Sequence, residues 1–288
     1  IDDVRVRRFL LAPLDQPVRE LMDGNFAALA ATDDQETAVT VFRKYDRVAL
    51  PVLADDGRLI GIVTVDDILD VAEEEATEDI QKMGGTEALE EPYITISLPR
   101  MVKKRASWLV VLFLSEMLTT TAMTSFQKEI DKATVLSLFL PLILSSGGNS
   151  GSQGSTLVIR ALALGEFKLR EWWKVMRREL VAGLALGGIL GTIGYLRIAV
   201  TSAYYSFRHE TNPFGGNHWP LIAATVGTSV IGTVLWGSLM GTMLPLLIKK
   251  VGFDPATSSA PFVATLVDVT GVIIYFTVAT YVLRGTLL

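Results

Sequence analysis

Residues 145–155 read Ser-Ser-Gly-Gly-Asn-Ser-Gly-Ser-Gln-Gly-Ser, and they interrupt an otherwise apolar stretch running from 133 to 164. A hydrocarbon core of about 30 Å asks for roughly 20 apolar residues per crossing helix, so a stretch of this length is a candidate span. Glycine at such depth has an ordinary explanation, since small residues let helix backbones approach closely. Eleven successive small or polar residues exceed what one such contact needs. The reading that fits better is a locally irregular helix that exposes carbonyls to water, because irregular backbone survives at membrane depth only beside a cavity or within protein. The stretch therefore points to an all-α membrane domain whose chemistry is concentrated in a polar insert.

Working outward, apolar stretches at 106–127, 179–203, 219–248 and 258–283 bring the expected spans to five. Basic residues set their orientation. Arg100, Lys103, Lys104 and Arg105 precede the first span. Lys168, Arg170, Lys174, Arg177 and Arg178 fill the connection between the second and third, and Lys249 and Lys250 follow the fourth. The opposite loops hold only Lys128, Lys132 and Arg208. The three rich clusters share one side of a five-span chain. This predicts a multi-pass protein of the plasma (inner) membrane, its N-terminal portion cytoplasmic and its C-terminus outside.

The fifth span contains one acid, Asp268, within Ala264-Thr265-Leu266-Val267-Asp268-Val269-Thr270-Gly271. A charge in mid-span is costly and marks a functional site by default. Arg284 stands only at the far end of that span, so a cation in a wet pore is the natural partner. Ala264, Asp268 and Val272 recur every four residues and share one helix face. Glu116, in the first span, is a second membrane acid, and the sequence leaves open a pore role or an inter-helix contact.

Hydrophobic residues make up 50% of the chain and charged ones 20%, with the charge gathered in the first hundred residues. Cysteine is absent and the two histidines, His209 and His218, share one polar loop. These counts exclude a disulfide framework, a thiolate metal site and a cysteine nucleophile, and they argue against a zinc or histidine-based enzyme. With no nucleophile–base constellation and no phosphate-binding loop, the chain does not read as an enzyme.

The segment before the membrane has α/β texture. Residues 32–34 are placed to cap a helix over 35–45, whose Ala38, Val41, Phe42 and Tyr45 fall on one face. A short apolar strand at 48–53, a turn at Asp55-Asp56-Gly57 and a second strand at 59–64 give a hairpin signal. Asp66 and Asp67 open the next helix, where negative charge suits the N-terminal dipole. The chain opens on Ile1 rather than Met, so residues 1–22 read as the end of a preceding unit, with a domain at 23–80 and a linker at 81–105 before the membrane domain of 106–288. Pro92 and Pro99 limit any helix in that linker.

From Asp55 to Glu91 thirteen acids face two bases, a charge of −11 in a chain that totals −5. A solvated helix face is the ordinary reading of such a run. Against it, Asp66/Asp70 and Asp70/Glu74 repeat at i,i+4, where like charges destabilise an isolated helix. Hard cations with oxygen ligands relieve that repulsion. The regulatory candidates are Asp66, Asp67, Asp70, Glu74, Glu78, Asp79, Glu87, Glu90 and Glu91.

Two resemblances follow from these residues. Leu50-Pro51-Val52 and the run from Gly57 to Leu69 (Gly-Arg-Leu-Ile-Gly-Ile-Val-Thr-Val-Asp-Asp-Ile-Leu) resemble a CBS motif. Such domains work in pairs, so residues 1–22 look like the tail of a partner repeat. The resemblance implies that Thr64 and Asp67 contact a nucleotide ribose, with ATP as the candidate ligand; the alternative is that both only cap the helix. Gly147 to Gln153, Ile159 to Ala163, Asp254-Pro255-Ala256, Ser259, Pro261, the stretch around Asp268 and the link from Asp70 to Ile80 resemble the bacterial MgtE magnesium channel/transporter family. This covers essentially the whole chain.

The second resemblance implies a homodimer with five helices per subunit and a pore on the dimer axis lined by the second and fifth spans. The selectivity acid maps onto Asp268, with Asn149 and the Ala264 carbonyl nearby, and the acid of the cytoplasmic pore mouth maps onto Asp254. A gating (plug) helix maps onto 89–101. The family's N-terminal domain and first CBS repeat are expected to be wholly or mostly missing. The function implied is Mg2+ import under negative feedback from cytosolic Mg2+. An ion-coupled transporter of divalent cations such as Co2+ or Mn2+ is the alternative. The expected partners are a second copy, membrane lipid and Mg2+ as cargo and regulator, with no nucleic acid.

Overall fold

The computed structural model describes residue 4 and residues 6–24, 26–214 and 216–288. The chain divides into two compact units, residues 1–78 and 79–288. Part of the expected tail of a preceding repeat (residues 1–3 and 5) and the end of the turn at 23–25 lie outside the described residues.

In the first unit, short helices α1 (Val6–Leu11) and α2 (Val18–Leu21) precede strand β1 (Leu29–Ala30), helix α3 (Gln35–Tyr45) and strands β2 (Ala49–Leu53) and β3 (Leu59–Thr64). β2 and β3 pair antiparallel, Leu50 opposite Val63, while β1 joins β2 in parallel with Leu29 opposite Val52. Gly57, at φ 76°, makes the hairpin turn that the sequence marks. Leu29, Phe42, Leu50 and Ile68 close a small core against Val39, Val52 and Val63. The expected cap at 32–34 differs in detail: Asp34 holds the N-cap position without a side-chain bond. Asp33 instead accepts the Ala30 N–H at 2.8 Å, a local turn that competes with capping. Helix α4 (Val65–Met83) then carries eight acids against one base, Lys82.

The second unit is helical. It comprises α5 (Leu98–Ser125), α6 (Gln127–Lys132), α7 (Leu140–Ala163), α8 (Trp172–Phe207), α9 (Trp219–Val251) and α10 (Ala260–Leu283). α9 sits among α7, α8 and α10, while α5 packs on α10. Among the described residues, four helices are long and apolar enough to cross a membrane: α5, α8, α9 and α10, with the short turns that lead into α8 and α9. α7 has 24 residues, yet the polar insert keeps it out of that set.

Two expectations change here. Residues 145–155 are unbroken α-helix, not irregular backbone. Their glycines serve the ordinary purpose: a Cβ at Gly237 would lie 2.2 Å from the Gly147 carbonyl oxygen, and one at Gly241 2.0 Å from that of Gly151. Backbone touches backbone along paired Gly-x-x-x-Gly spacings on α7 and α9. No separate gating helix forms over 89–101 either. Residues 84–97 are turns and irregular chain, and Pro99 stands in the first turn of α5, where its missing N–H costs nothing.

Candidate functional site

α10 is set by its start. Ser259 is its N-cap: Oγ accepts the Phe262 N–H at 3.3 Å and the Trp108 indole N–H at 3.0 Å. Ser152 and Ser155 on α7 donate to the carbonyls of Ala260 (3.1 Å) and Ser258 (2.8 Å), pinning the same end. Ser150 and Ser238 share a buried hydrogen bond of 2.7 Å between α7 and α9. The serines of the polar insert thus hold helix to helix while its glycines let the helices close up.

Asp268 lies about 12 Å along α10 from Ala260 at 1.5 Å per residue. It is half-buried and faces α7 at Gly148. A Cβ at Gly148 would sit 3.4 Å from the Ala264 Cβ and 3.7 Å from Asp268 Oδ1. The structure therefore brings Ala264, Asp268 and the Gly148–Asn149 turn of α7 together. Asn149 is exposed beside that contact, its Nδ2 donating to Ser145 Oγ at 3.3 Å. Glu116 is exposed on α5, the helix that packs on α10. Asp268 thus meets α7 where that helix offers no side chain.

Asp254 stands in the turn between α9 and α10. Its Oδ1 accepts the Ala256 N–H at 2.8 Å and its Oδ2 the Lys82 ammonium at 2.7 Å. Both oxygens of the expected pore-mouth acid are thus engaged. The helix that reaches this acid is the last turn of α4, not residues 89–101.

The linker acids are also spoken for. Glu87 accepts the Ser107 hydroxyl at 2.6 Å, Glu90 pairs with Lys104 at 3.1 Å, and Glu91 pairs with Arg100. Glu90 and Glu91 thus pair with two of the four bases at the start of α5. On α4, Thr64 Oγ donates to Asp67 at 2.9 Å. The Thr64 side chain, and then the backbone N–H of Asp66 itself, hold the Asp66 carboxyl below its ordinary range. Asp70 and Glu74 are exposed, and Glu78 and Asp79 have partners of their own. Among the described residues, no three carboxylate or imidazole side chains converge as a metal site would require.

Sequence reasoning missed Lys82, Trp108 and the glycines of α9. The Gly237-x-x-x-Gly241 spacing, which mirrors Gly147-x-x-x-Gly151, was a readable signal. The roles of Lys82 and Trp108 depend on partners more than 150 residues away, and no local pattern announces them.

Comparison with known proteins places both parts of the chain beside described families. Residues 140–278 match the family model described as MgtE, divalent cation transporter, and residues 18–74 match that of the CBS domain. The magnesium transporter MgtE of Thermus thermophilus is 37% identical over 283 residues, covering 97% of this chain and 59% of the relative. The proteins of the same name from Enterococcus faecalis and Bacillus subtilis are each 29% identical, over 98% and 95% of this chain and 58% and 57% of their own lengths. The chain thus spans a little under three fifths of the curated relatives it matches.

Proposed function

Since this chain belongs to the MgtE family of divalent cation transporters, we propose that it is the pore and CBS portion of a magnesium channel, with Asp268 as the acid that selects the ion. The observation that carries this reading is the contact at Gly148. The single acid of α10 faces α7 where that helix offers no side chain, one residue from the exposed Asn149 amide. Mg2+ sheds water reluctantly and keeps octahedral geometry. A polar lining of Asn149, the Ala264 carbonyl and the Asp268 carboxylate suits passage through water-mediated contacts.

In this reading α7 is a fifth span. Its 24 residues reach about 36 Å, enough for a bilayer, and the polar insert is tolerable because α9 and α10 cover most of its glycine face. The proposed pore lies on the axis of a homodimer lined by α7 and α10. Two features support a second copy. Asn149 and Gln153 form an exposed polar stripe on α7, and only 6% of the apolar window of α5 is buried within one chain. The basic residues around the starts of α5 and α8 and the end of α9 support a cytoplasmic N-terminus in an inner membrane.

Regulation is proposed to run through the acid run. At high cytosolic Mg2+ the carboxylates of α4 are neutralised and the pore is held closed; when Mg2+ falls, repulsion returns and the pore opens. Because no complete metal site forms among the described residues, the cation sites would draw further carboxylates from a second copy or from other parts of the protein. A nucleotide such as ATP at the CBS unit would have to displace the Thr64–Asp67 hydrogen bond to use both groups.

The test is Mg2+ uptake into liposomes loaded with a fluorescent indicator. Asp268→Asn should abolish selective flux in a folded protein; unchanged flux and selectivity would remove the pore assignment. A second reading rests on Glu116, since α5 packs on α10 and membrane carboxylates also serve proton relays. It makes the protein an ion-coupled carrier of divalent cations such as Co2+ or Mn2+. Flux that persists without proton or sodium gradients discards that reading.

A further inference from the structure

The two long faces of α8 differ. One is glycine: a Cβ at Gly183, Gly187 or Gly191 would strike Leu235, Ile231 or the Gly227 carbonyl, so this side is pressed onto α9. The other side is open. It begins with Trp172 and Trp173, 48% and 52% exposed, their ring centroids 5.6 Å apart. Arg170, Arg177 and Arg178 flank them and are exposed. Among the described residues none of these three arginines makes a salt bridge, whereas Lys174 is held by Glu171 at 2.6 Å.

The same open face turns aliphatic within one helical turn. At 100° per residue Arg177, Val181, Leu184 and Gly188 form a single stripe. Val181 and Leu184 are exposed, and a Cβ at Gly188 would meet nothing within 4 Å. From Arg177 to Gly188 the stripe is about 16 Å long. Exposed guanidinium groups outside any salt bridge (Arg170 and Arg177; Arg178 acts on the neighbouring Glu179), an aromatic collar and then an apolar, shallow track follow one another in the order of a phospholipid's own parts. Guanidinium matches phosphate with two parallel hydrogen bonds, and tryptophan seeks the headgroup boundary.

We propose that this stripe of α8 binds an anionic phospholipid, its phosphate held by Arg177, with Arg170 from the turn before the helix, beside Trp173, and an acyl chain lying over Val181, Leu184 and Gly188. The inference rests on the reading of α8 as a membrane span, though not on the ion that is carried. The argument for lipid is charge complementarity at one end of a face that is otherwise apolar and continuous with the membrane-spanning part of the helix.

The test uses the full chain with Trp173 as its only tryptophan (W108F, W172F, W219F, W236F). It is reconstituted in phosphatidylcholine vesicles containing phosphatidylglycerol, with one lipid or the other brominated on its acyl chains. Brominated phosphatidylglycerol should quench Trp173 at a mole fraction about fivefold lower than brominated phosphatidylcholine, the effect expected from even one uncompensated cation at the surface. R170Q/R177Q should bring the ratio close to one, and R170K/R177K should keep most of it. Raising the salt should shrink the ratio in the parent, a check that does not depend on any arginine variant folding. Equal quenching by the two lipids in the parent, or a preference that survives the glutamine substitutions or high salt, overturns the site and leaves the transport reading untouched. Absence of quenching by either lipid overturns the site and the membrane placement of α8 together.

Discussion

Lys82 and Asp254 hold each other at 2.7 Å although 172 residues separate them in sequence. The pair joins the last turn of the acidic helix α4 to the turn that launches α10. Both side chains are less than one third exposed, at 27% and 32%, which puts the pair between an exposed bridge and a buried one. Its worth is positional as well as energetic, because the ammonium stands where a free cation would otherwise approach Asp254. A double-mutant cycle with Lys82→Gln and Asp254→Asn should give a coupling of about 1 kcal/mol at low salt. The loss of the Asp254 cap on Ala256 cancels in the cycle. Thermal unfolding of the four proteins reads it, and a coupling near zero would mean the two groups do not act together.

The glycines of α9 make a sharper prediction. With no side chain to move aside, a methyl at Gly237 or Gly241 must push the α7 backbone itself. Overpacking of this kind costs about 1–3 kcal/mol, and rigid backbone on both sides favours the upper end. Gly237→Ala and Gly241→Ala should therefore lower the melting temperature of the purified protein steeply. Gly188→Ala, which fills open space in a helix, should hold or raise stability by up to about 1 kcal/mol. Equal melting temperatures for all three would contradict the close approach.

The contrast between these glycines and the polar insert shows what the sequence could and could not convey. The α/β unit was legible because Leu50, Gly57 and Ile68 obey local rules of strand, turn and helix, and each rule needs only neighbours. The apolar helices were legible from length and composition for the same reason. The place of Asp268 within an apolar helix was legible because one charge in an apolar run is conspicuous whatever surrounds it. The conformation of residues 145–155 was not, since eleven small residues fit an irregular helix and a tightly packed regular one equally well. Only α9, with Gly237 and Gly241 on the facing surface, decides between them. The partners of Glu87, Glu90 and Glu91 on α5 were not legible, because an acid run announces charge and says nothing of what it pairs with.

Gly148 separates stability from transport. A Cβ there would meet Ala264 and Asp268 at 3.4 and 3.7 Å, ordinary contact distances. Gly148→Ala should fold with a melting temperature close to that of the parent, yet place a methyl in the space beside the Asp268 carboxylate. Mg2+ flux should fall, by about tenfold if the ion passes with its water shell intact and loses about 1.4 kcal/mol of that fit. The melting temperature and the liposome uptake assay together check it. A parent-like flux in the alanine variant would move the conduction path away from α7.

The last prediction concerns pH at the start of α4. The carboxyl of Asp66 is held below its ordinary range, first by the Thr64 side chain and next by its own backbone N–H. A carboxyl lowered on folding adds stability that is fully present above the unfolded value, near 3.9, and is lost as pH falls through the lower, folded one. Between those two values the slope of stability against pH should be smaller in Thr64→Val, because the side-chain donor is gone while the backbone donors remain. The carboxyl carbon shift of Asp66, followed by NMR from neutral to acid pH, should show its midpoint rising in the variant. Because Asp66 is exposed, the change should read as a modest shift of midpoint with the fold intact. A midpoint that stays where it was would assign the lowering to the backbone N–H groups alone, and would leave the Thr64 hydroxyl to Asp67.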